Sequence, residues 1–389
     1  MRVLIAAESY APSVNGVANS VLRMQRHLVQ RGHHVEVVAP SPGPDEVEGV
    51  SVARVPSRSL PFYRGLPIGL PSRTHLESLF DRVQPDVVHL AAPAILGRRA
   101  VSIAARRGIS SVAVFQTDVS GFARSYGMGI GGAAVWSWLR RTHELADVTV
   151  APSTATIGLL EDNGVPRVGL WGRGVDSALF RPDRSDERIR AALLDAADRD
   201  AVVVGYVGRL AKEKRLDLLR GIDERPGVRL VIVGEGPASD ELRAMLPHAH
   251  FTGLLRGVEL AQTLASFDVF VHTGAHETFC QSIQEAMASG LPVIAPSAGG
   301  PLDLVDHGRS GLLYEPENPL ALRAAVTTLV NHPEMRRRMG ACGVERTVGR
   351  SWDVVCDELV SIYRGVVAGD RTGALERSLV RRPVVRPAA

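Results

Sequence analysis

The chain has few cysteines, and their spacing excludes two kinds of site. Of its 389 residues only Cys280, Cys342 and Cys356 are cysteines, an odd number with no CxxC pair. Disulfide frameworks and zinc knuckles both need paired cysteines at characteristic spacings. We therefore expect neither, and this cysteine usage favours the reducing cytoplasm.

Aromatic residues, excess charge and signal-peptide features are also scarce. Aromatic residues make up 5% of the chain, and the formal net charge of +3 is too small to indicate a nucleic-acid partner. Met1 and Arg2 lead directly into an apolar strand pattern, without the apolar core and cleavage site of a signal peptide. We expect a cytoplasmic protein, with membrane contact limited to peripheral binding at the inner face.

Lysine is nearly absent, and both lysines lie in one short segment. Lysine and arginine together number 45, but only Lys212 and Lys214 are lysines, within residues 208–214. The ammonium group of lysine is a compact point charge that arginine does not reproduce. The pair either marks a site that needs such a charge or survives by chance in an arginine-biased sequence.

Short apolar runs alternate with segments of helical period, which is typical of parallel sheets with helices on both faces. In the first half the predicted strands cover residues 3–7, 35–39, 87–90, 112–115 and 148–151. In the second half they cover residues 201–207, 229–233, 250–252, 269–272 and 292–295. The fold class is therefore α/β.

The pattern breaks near Gly172, which indicates a linker between two domains. We predict an acceptor-side domain at residues 1–171 and a donor-binding domain at 172–351, both Rossmann-like and doubly wound. Such domains would face a cleft at the carboxyl ends of their parallel strands. A helix at about 352–368 should pack back on the first domain, and residues 371–389 should form a disordered tail.

The strongest motif covers residues 276–293, where a strand pattern ends and a helix pattern begins. Glu277 and Glu285 are eight residues apart, about 2.2 helical turns, so both could face the same cleft. Between them, backbone N–H groups at the start of the predicted helix offer a site for a diphosphate. These groups belong to Phe279, Cys280 and Gln281. Taken singly, each glutamate could instead be an ordinary solvated helix residue.

This segment resembles the E-x7-E motif of retaining glycosyltransferases of family GT4, which have the GT-B fold, and the resemblance covers nearly the whole chain. Residues 208–214, Gly-Arg-Leu followed by Lys214, look like the phosphate-binding segment of that family. The resemblance implies that Arg209 and Lys214 neutralise the donor diphosphate and stabilise it as it leaves. It also implies that Glu277 holds the transferred sugar and Glu285 the ribose, with no metal or other cofactor.

The first half carries further candidates. Residues 11–17 resemble the family's glycine loop, in which Gly16 would let the backbone approach donor or acceptor; a plain strand-to-helix turn is the alternative. Many relatives have a histidine at the end of a later strand, where this sequence has Gln116. We therefore predict Asp118 as the catalytic, sugar-facing or acceptor-facing residue, beside Gln116. His89 is a further candidate contact, or a buried strand histidine.

Residues 116–122 resemble a subgroup of GDP-mannose-dependent α-mannosyltransferases that modify glycolipids. The predicted activity is retaining transfer of mannose from GDP-mannose to a lipid-linked or small-molecule acceptor. UDP-glucose and UDP-N-acetylglucosamine remain alternative donors. A nucleotide-sugar epimerase and a non-catalytic sugar-nucleotide-binding protein are alternatives within the same fold.

Three other patterns are interpreted as structural or surface features. Residues 198–200 spell DxD, a metal motif of another glycosyltransferase fold, but lie in a charged stretch. His272 and His276 precede Glu277 without the second histidine of H-E-x-x-H, so zinc is not expected. Residues 58–67 are basic, apolar and proline-rich, and form either a contact with an anionic membrane surface or an ordinary loop.

Overall fold

The structure is a computed structural model that describes residues 1–13, 15–60, 63–116, 132–194 and 199–379. The described chain forms two compact units that divide at Gly172 and Arg173, and the segment from Trp352 to Leu379 belongs to the first unit. None of the helices in these ranges has both the length and the apolar character needed to cross a bilayer.

The first unit is built around a mostly parallel sheet. Its strands are β1 (Arg2–Ala7), β2 (His34–Pro40), β3 (Glu46–Val47), β4 (Val50–Val55), β5 (Ser57–Leu60), β6 (Tyr63–Gly69), β7 (Val87–Ala91), β8 (Ser110–Val114), β9 (Val148–Ala151) and β10 (Val168–Leu170). Its helices up to Gly172 are α1 (Gly16–Gln30), α2 (Arg73–Val83), α3 (Ile95–Arg107), α4 (Gly132–His143) and α5 (Thr154–Asp162).

The strand order of this sheet is β10-β9-β8-β7-β1-β2-β4-β3, and only the β3–β4 pair is antiparallel. Residues Val3 to Ala7 of the central strand are fully buried, as expected for a strand covered on both faces. Two large apolar clusters, one on each side of the sheet, and a smaller third cluster around Phe115 and Leu160 form the core of this unit. Strands β5 and β6 form a separate antiparallel hairpin, which contains the described part of residues 58–67.

The second unit contains a six-stranded parallel sheet. Its strands are β11 (Val202–Val207), β12 (Val228–Val233), β13 (His250–Gly253), β14 (Val269–Val271), β15 (Val293–Pro296) and β16 (Gly311–Tyr314), in the order β13-β12-β11-β14-β15-β16. Its helices are α6 (Glu187–Leu193), α7 (Arg220–Asp223), α8 (Ser239–Met245), α9 (Gly257–Ala265), α10 (Gln281–Ala288), α11 (Pro301–Leu304), α12 (Pro319–Asn331) and α13 (Pro333–Thr347).

The predicted fold class is confirmed. Each predicted strand occurs, with small shifts at its ends, and the two sheets are covered by helices on both faces. The sequence analysis missed β3, β4, the hairpin, β10 and β16, which include the short strands at sheet edges. Edge strands are partly solvated and therefore lack the continuous apolar run that marks a central parallel strand.

Two C-terminal helices complete the first unit. Helix α14 (Trp352–Val367) packs on the sheet, where Trp171 Nε1 donates a 2.8 Å hydrogen bond to the carbonyl oxygen of Val355. The expectation of disorder from residue 371 onward is wrong for residues 371–379, which form helix α15 (Arg371–Leu379). This helix is fixed because Ala374 is fully buried in the core and Arg371 pairs with Asp147.

Candidate functional site

The candidate site lies where the strand order of the second sheet reverses. From this point, β11, β12 and β13 follow one another toward one edge of the sheet, and β14, β15 and β16 follow one another toward the other edge. Ligands of open α/β sheets bind at the carboxyl ends of the strands beside such a reversal. Arg209 and Lys214 follow β11, whereas His272 and Glu277 follow β14, so the fold places the predicted charges at this position.

Lys214, His272 and Glu277 form one contact cluster. The ammonium group of Lys214 forms an ion pair with Glu277 Oε1, although 63 residues separate them in sequence. His272 Nε2 lies 3.1 Å from the same carboxylate oxygen. Thr273 Oγ1 donates a 2.6 Å hydrogen bond to the carbonyl oxygen of Lys214, which ties the lysine turn to the end of β14.

Electrostatics within the cluster favour its charged forms. Burial alone would raise the pKa of Glu277, but Lys214 and His272 outweigh it and hold that pKa well below its usual range. Burial likewise opposes the charge on Lys214, yet Glu277 raises the lysine pKa above its ordinary value. Burial would lower the pKa of His272, but Cys280 and Glu277 raise it to about 9. At neutral pH Lys214, His272 and Glu277 are therefore all held in their charged forms.

His272 is a member of the site that the sequence analysis missed. It is 2% exposed, its ring stacks on Tyr206 with centroids 6.1 Å apart, and its own carbonyl oxygen accepts a 3.3 Å hydrogen bond from Tyr314 Oη. The sequence does place His272 at the end of the strand predicted at residues 269–272, and this position could have indicated a site residue. The comparison with H-E-x-x-H places His276, not His272, at the first histidine of that motif, and His276 is exposed.

Arg209 lies on the same turn in a more open position. Its guanidinium pairs with Glu213, and its side chain is 38% exposed. Tyr206 Oη donates a 3.2 Å hydrogen bond to the carbonyl oxygen of Arg209, which fixes the backbone of the loop. Because an exposed ion pair contributes little free energy, the Arg209 guanidinium could release Glu213 and bind a phosphate instead.

The start of α10 differs from the predicted geometry. Glu277 lies in the loop before the helix, because α10 begins only at Gln281, so helical spacing does not relate it to Glu285. Cys280 precedes the helix in a left-handed conformation, with φ of 80° and ψ of 80°, and no side chain caps the first turn. Glu285 lies half-buried on the helix. The Gln281 side chain donates a 3.0 Å hydrogen bond to the carbonyl oxygen of Gly174, so only its backbone N–H remains a candidate for the diphosphate.

The glycine-rich loop at residues 297–301 supports this turn by close backbone contact. Gly300 donates a 2.7 Å hydrogen bond to the carbonyl oxygen of Glu277. A Cβ atom on Gly300 would lie 2.3 Å from Phe279 Cα, and one on Gly299 would lie 2.4 Å from the Glu277 oxygen. Only glycine fits at these two positions, and Phe279, 7% exposed, is held in the core beside them.

The predicted site residues of the first unit include Gly16, Gln116 and Asp118, of which the structure describes the first two. Gly16 is the first residue of α1, and a Cβ atom there would meet nothing within 4 Å. The Asn15 side chain already accepts hydrogen bonds from the N–H groups of Val17 and Ala18, at 3.1 and 3.0 Å, so part of this helix start is occupied. Gln116 follows β8 and is 7% exposed. Asp118 lies outside the described residues.

His89 is a structural residue in this fold. It lies within β7, opposite Ile5 of β1, and is 1% exposed. Its Nδ1 is 2.5 Å from Tyr363 Oη on α14. This placement argues against the suggested contact with sugar or acceptor and supports the alternative of a buried strand histidine.

Comparisons with known proteins agree with this architecture. Residues 14–179 match the model of Glycosyltransferase Family 4, and residues 192–346 match that of Glycosyl transferases group 1. The chain superposes on sucrose-phosphate synthase from Thermosynechococcus elongatus with a TM-score of 0.76 at 20% identity, covering 94% of this chain and 99% of that one. At that identity the likeness shows the fold alone, which is GT-B.

Similarity in sequence extends over nearly the full length. A GDP-mannose-dependent alpha-mannosyltransferase of Mycolicibacterium smegmatis is 50% identical, covering 94% of this chain and 98% of that protein. One of Mycobacterium tuberculosis is 49% identical, covering 96% and 98%. A GDP-mannose-dependent alpha-(1-6)-phosphatidylinositol dimannoside mannosyltransferase of Mycobacterium tuberculosis is 26% identical, again covering 96% and 98%. The chain belongs to the GT4 family of GT-B glycosyltransferases, in the group that contains the GDP-mannose-dependent alpha-mannosyltransferases.

Proposed function

We propose that this glycosyltransferase moves mannose from GDP-mannose to a lipid-linked acceptor with retention of configuration. The observation that carries the proposal is the cluster of charged side chains Lys214, His272 and Glu277 at the strand-order reversal, with Arg209 on the same turn as Lys214. The identity of about half to mannosyltransferases over nearly the whole chain supports GDP-mannose as the donor.

Each part of the donor has a candidate partner. Arg209, Lys214 and the uncapped first turn of α10 supply positive charge and N–H donors for the diphosphate. Glu285, on the same helix, binds a ribose hydroxyl. Glu277 accepts a hydrogen bond from the transferred sugar while Lys214 and His272 keep its carboxylate ionised.

These roles are sufficient for transfer by stabilisation of charge. The bond between C1 of the sugar and the diphosphate oxygen breaks, and its electron pair leaves with GDP. The acceptor oxygen bonds to C1 on the same face, and the acceptor proton leaves with the departing phosphate. Positive groups aimed at the leaving oxygen supply several kcal/mol of such stabilisation. We infer that transfer needs no added metal, and the activity should therefore persist in EDTA.

The proposed acceptor is a glycolipid, which implies a contact with the membrane. A relative of similar length is named for a phosphatidylinositol dimannoside substrate, which supports a glycolipid acceptor here. Such an acceptor would require peripheral binding to the bilayer. Co-sedimentation with vesicles of phosphatidylglycerol and phosphatidylcholine, compared with phosphatidylcholine alone, measures it; equal binding to both would exclude an electrostatic contact.

The donor can be identified before the acceptor is known. Thermal shifts are measured with GDP, UDP, GDP-mannose, UDP-glucose and UDP-N-acetylglucosamine at equal concentration. A ligand at 100 times its Kd stabilises the folded state by about 2.7 kcal/mol, so the guanine compounds should give the largest shifts. Larger shifts with the uracil compounds would refute the donor assignment. Incubation with the donor alone, followed by analysis for a new sugar isomer, tests the epimerase alternative.

A further inference from the structure

We propose that His272, Glu277 and Cys280 form a binding site for one Zn²⁺ ion, and that this ion blocks the donor site. A ring nitrogen of His272, a carboxylate oxygen of Glu277 and the Cys280 sulfur all lie within 4.8 Å of one another. The metal is an inhibitor in this proposal and takes no part in transfer.

The donor atoms match the preferences of zinc. Zn²⁺ binds nitrogen, oxygen and sulfur ligands at about 2.0–2.3 Å in tetrahedral geometry, and three protein ligands with one open position are common. Tetrahedral ligands at those distances are separated by roughly 3.4–3.6 Å. The His272 nitrogen and Glu277 oxygen are already 3.1 Å apart. Only the sulfur needs to approach, by about 1 Å at most.

The His272 ring lies close to both of the other candidate ligands. Its Nε2 is 3.1 Å from Glu277 Oε1, and the ligand atoms of His272, Glu277 and Cys280 are all within 4.8 Å of one another. His272 is 2% exposed, so a metal ion held by this ring would be largely shielded from water.

Cys280 is well placed to supply the third ligand. Its left-handed backbone, with φ of 80°, puts the residue at the start of α10, and it is 7% exposed. Its sulfur lies 3.6 Å from Ser282 Oγ and also interacts with the His272 side chain. Thiol sulfur is the ligand that distinguishes zinc from magnesium or calcium, which prefer oxygen.

Metal binding is coupled to proton release. Zn²⁺ binds the deprotonated forms of histidine and cysteine, so binding releases to solvent any proton that these two ligands carry. The ion also takes the carboxylate from Lys214. Inhibition follows because Glu277 can no longer hold the sugar, and this consequence alone rests on the proposed role of Glu277.

The experiment compares the wild-type chain with Cys280→Ser and with Cys342→Ser as a matched control. Cys342 lies on α13, away from the cluster, and is partly exposed. Metal-free protein is titrated with Co²⁺, whose absorption reports thiolate ligation and tetrahedral geometry, and then with Zn²⁺ in competition with a chromophoric chelator. We expect one equivalent bound in wild type and in Cys342→Ser. Cys280→Ser should lose the thiolate band and at least about 100-fold in Zn²⁺ affinity.

Failure of this site and failure of the proposed function give different results. Absence of a thiolate band in the wild type, or its retention in Cys280→Ser, would overturn the metal site, and the wild-type spectrum decides even if that variant does not fold. Zn²⁺ should also inhibit release of GDP from GDP-mannose, and excess GDP-mannose should slow Zn²⁺ uptake. Stoichiometric binding without inhibition would leave the metal site in place and refute the assigned role of Glu277.

Discussion

Replacement of Lys214 by methionine should separate its structural role from its role in transfer. The side chains of Lys214 and Glu277 are 22% and 16% exposed, so their ion pair is mostly but not fully removed from water. Loss of one partner from a buried pair costs about 3–5 kcal/mol. Because the pair keeps some solvent access and His272 still contacts Glu277 at 3.1 Å, we expect a loss smaller than that range, a decrease of about 2–3 kcal/mol in the free energy of unfolding.

The loss in catalysis should exceed the loss in stability. Removal of one charged donor from a developing anion typically costs about 2.7–4 kcal/mol, or roughly 100- to 1,000-fold in kcat. Lys212→Met is the matched control, because Lys212 belongs to the same turn and is exposed. It should change neither stability nor kcat appreciably.

The assay follows GDP release at saturating GDP-mannose, at a temperature where every variant is folded, beside urea unfolding of the same preparations. Glu277→Gln and the double variant complete a cycle for stability. With the carboxylate neutralised, the loss caused by Lys214→Met should shrink. A kcat for Lys214→Met within about threefold of wild type, or equal effects for the two lysines, would refute the assigned role.

Three further predictions concern groups outside that pair. Burial raises the pKa of Glu8 from 4.5 to about 7, so the native state binds the Glu8 proton more tightly than the unfolded state does. The stability that protonated Glu8 contributes is therefore complete below pH 4.5 and lost as pH rises through about 7. The free energy of unfolding of the wild type should fall by about 2–3 kcal/mol more than that of Glu8→Gln between pH 5 and 8. An equal pH dependence of the two proteins in urea unfolding would contradict this. Glu285→Gln should weaken GDP binding roughly 10-fold by calorimetry; unchanged affinity would remove Glu285 from the ribose site. Tyr363→Phe should cost about 1–2 kcal/mol of stability by leaving His89 Nδ1 without its hydroxyl, with kcat unaltered; a selective fall in kcat would reopen a role for His89 in transfer.

Much of the site could be anticipated because its residues lie at strand ends. Arg209 and Lys214 follow a strand that the sequence marks clearly, and so does Glu277. The pairing between Lys214 and Glu277 was not anticipated, since each was assigned separately to a part of the donor. His272 was not predicted for a related reason, because a motif compares only residues that are close in sequence. Its ring stacks on Tyr206 of β11, and it shares the Glu277 carboxylate with Lys214, which follows β11.

Two expectations failed where a local pattern was extended too far. The helical spacing of Glu277 and Glu285 assumed one continuous helix, but Cys280 adopts a left-handed conformation and α10 begins after it. The tail beyond residue 371 has no clear periodicity, yet α15 forms because Ala374 packs in the core and Arg371 pairs with Asp147. In the second case, contacts with distant segments override the weak local pattern.

The sequence by itself determined the central strands of both sheets and the division near Gly172, because periodicity and turn chemistry are local properties. Only the tertiary structure decided which charges meet. Lys214 and Glu277 are 63 residues apart, and they come together because the strand order reverses between β11 and β14. That order depends on how the parallel crossovers pack, and no short stretch of sequence encodes it.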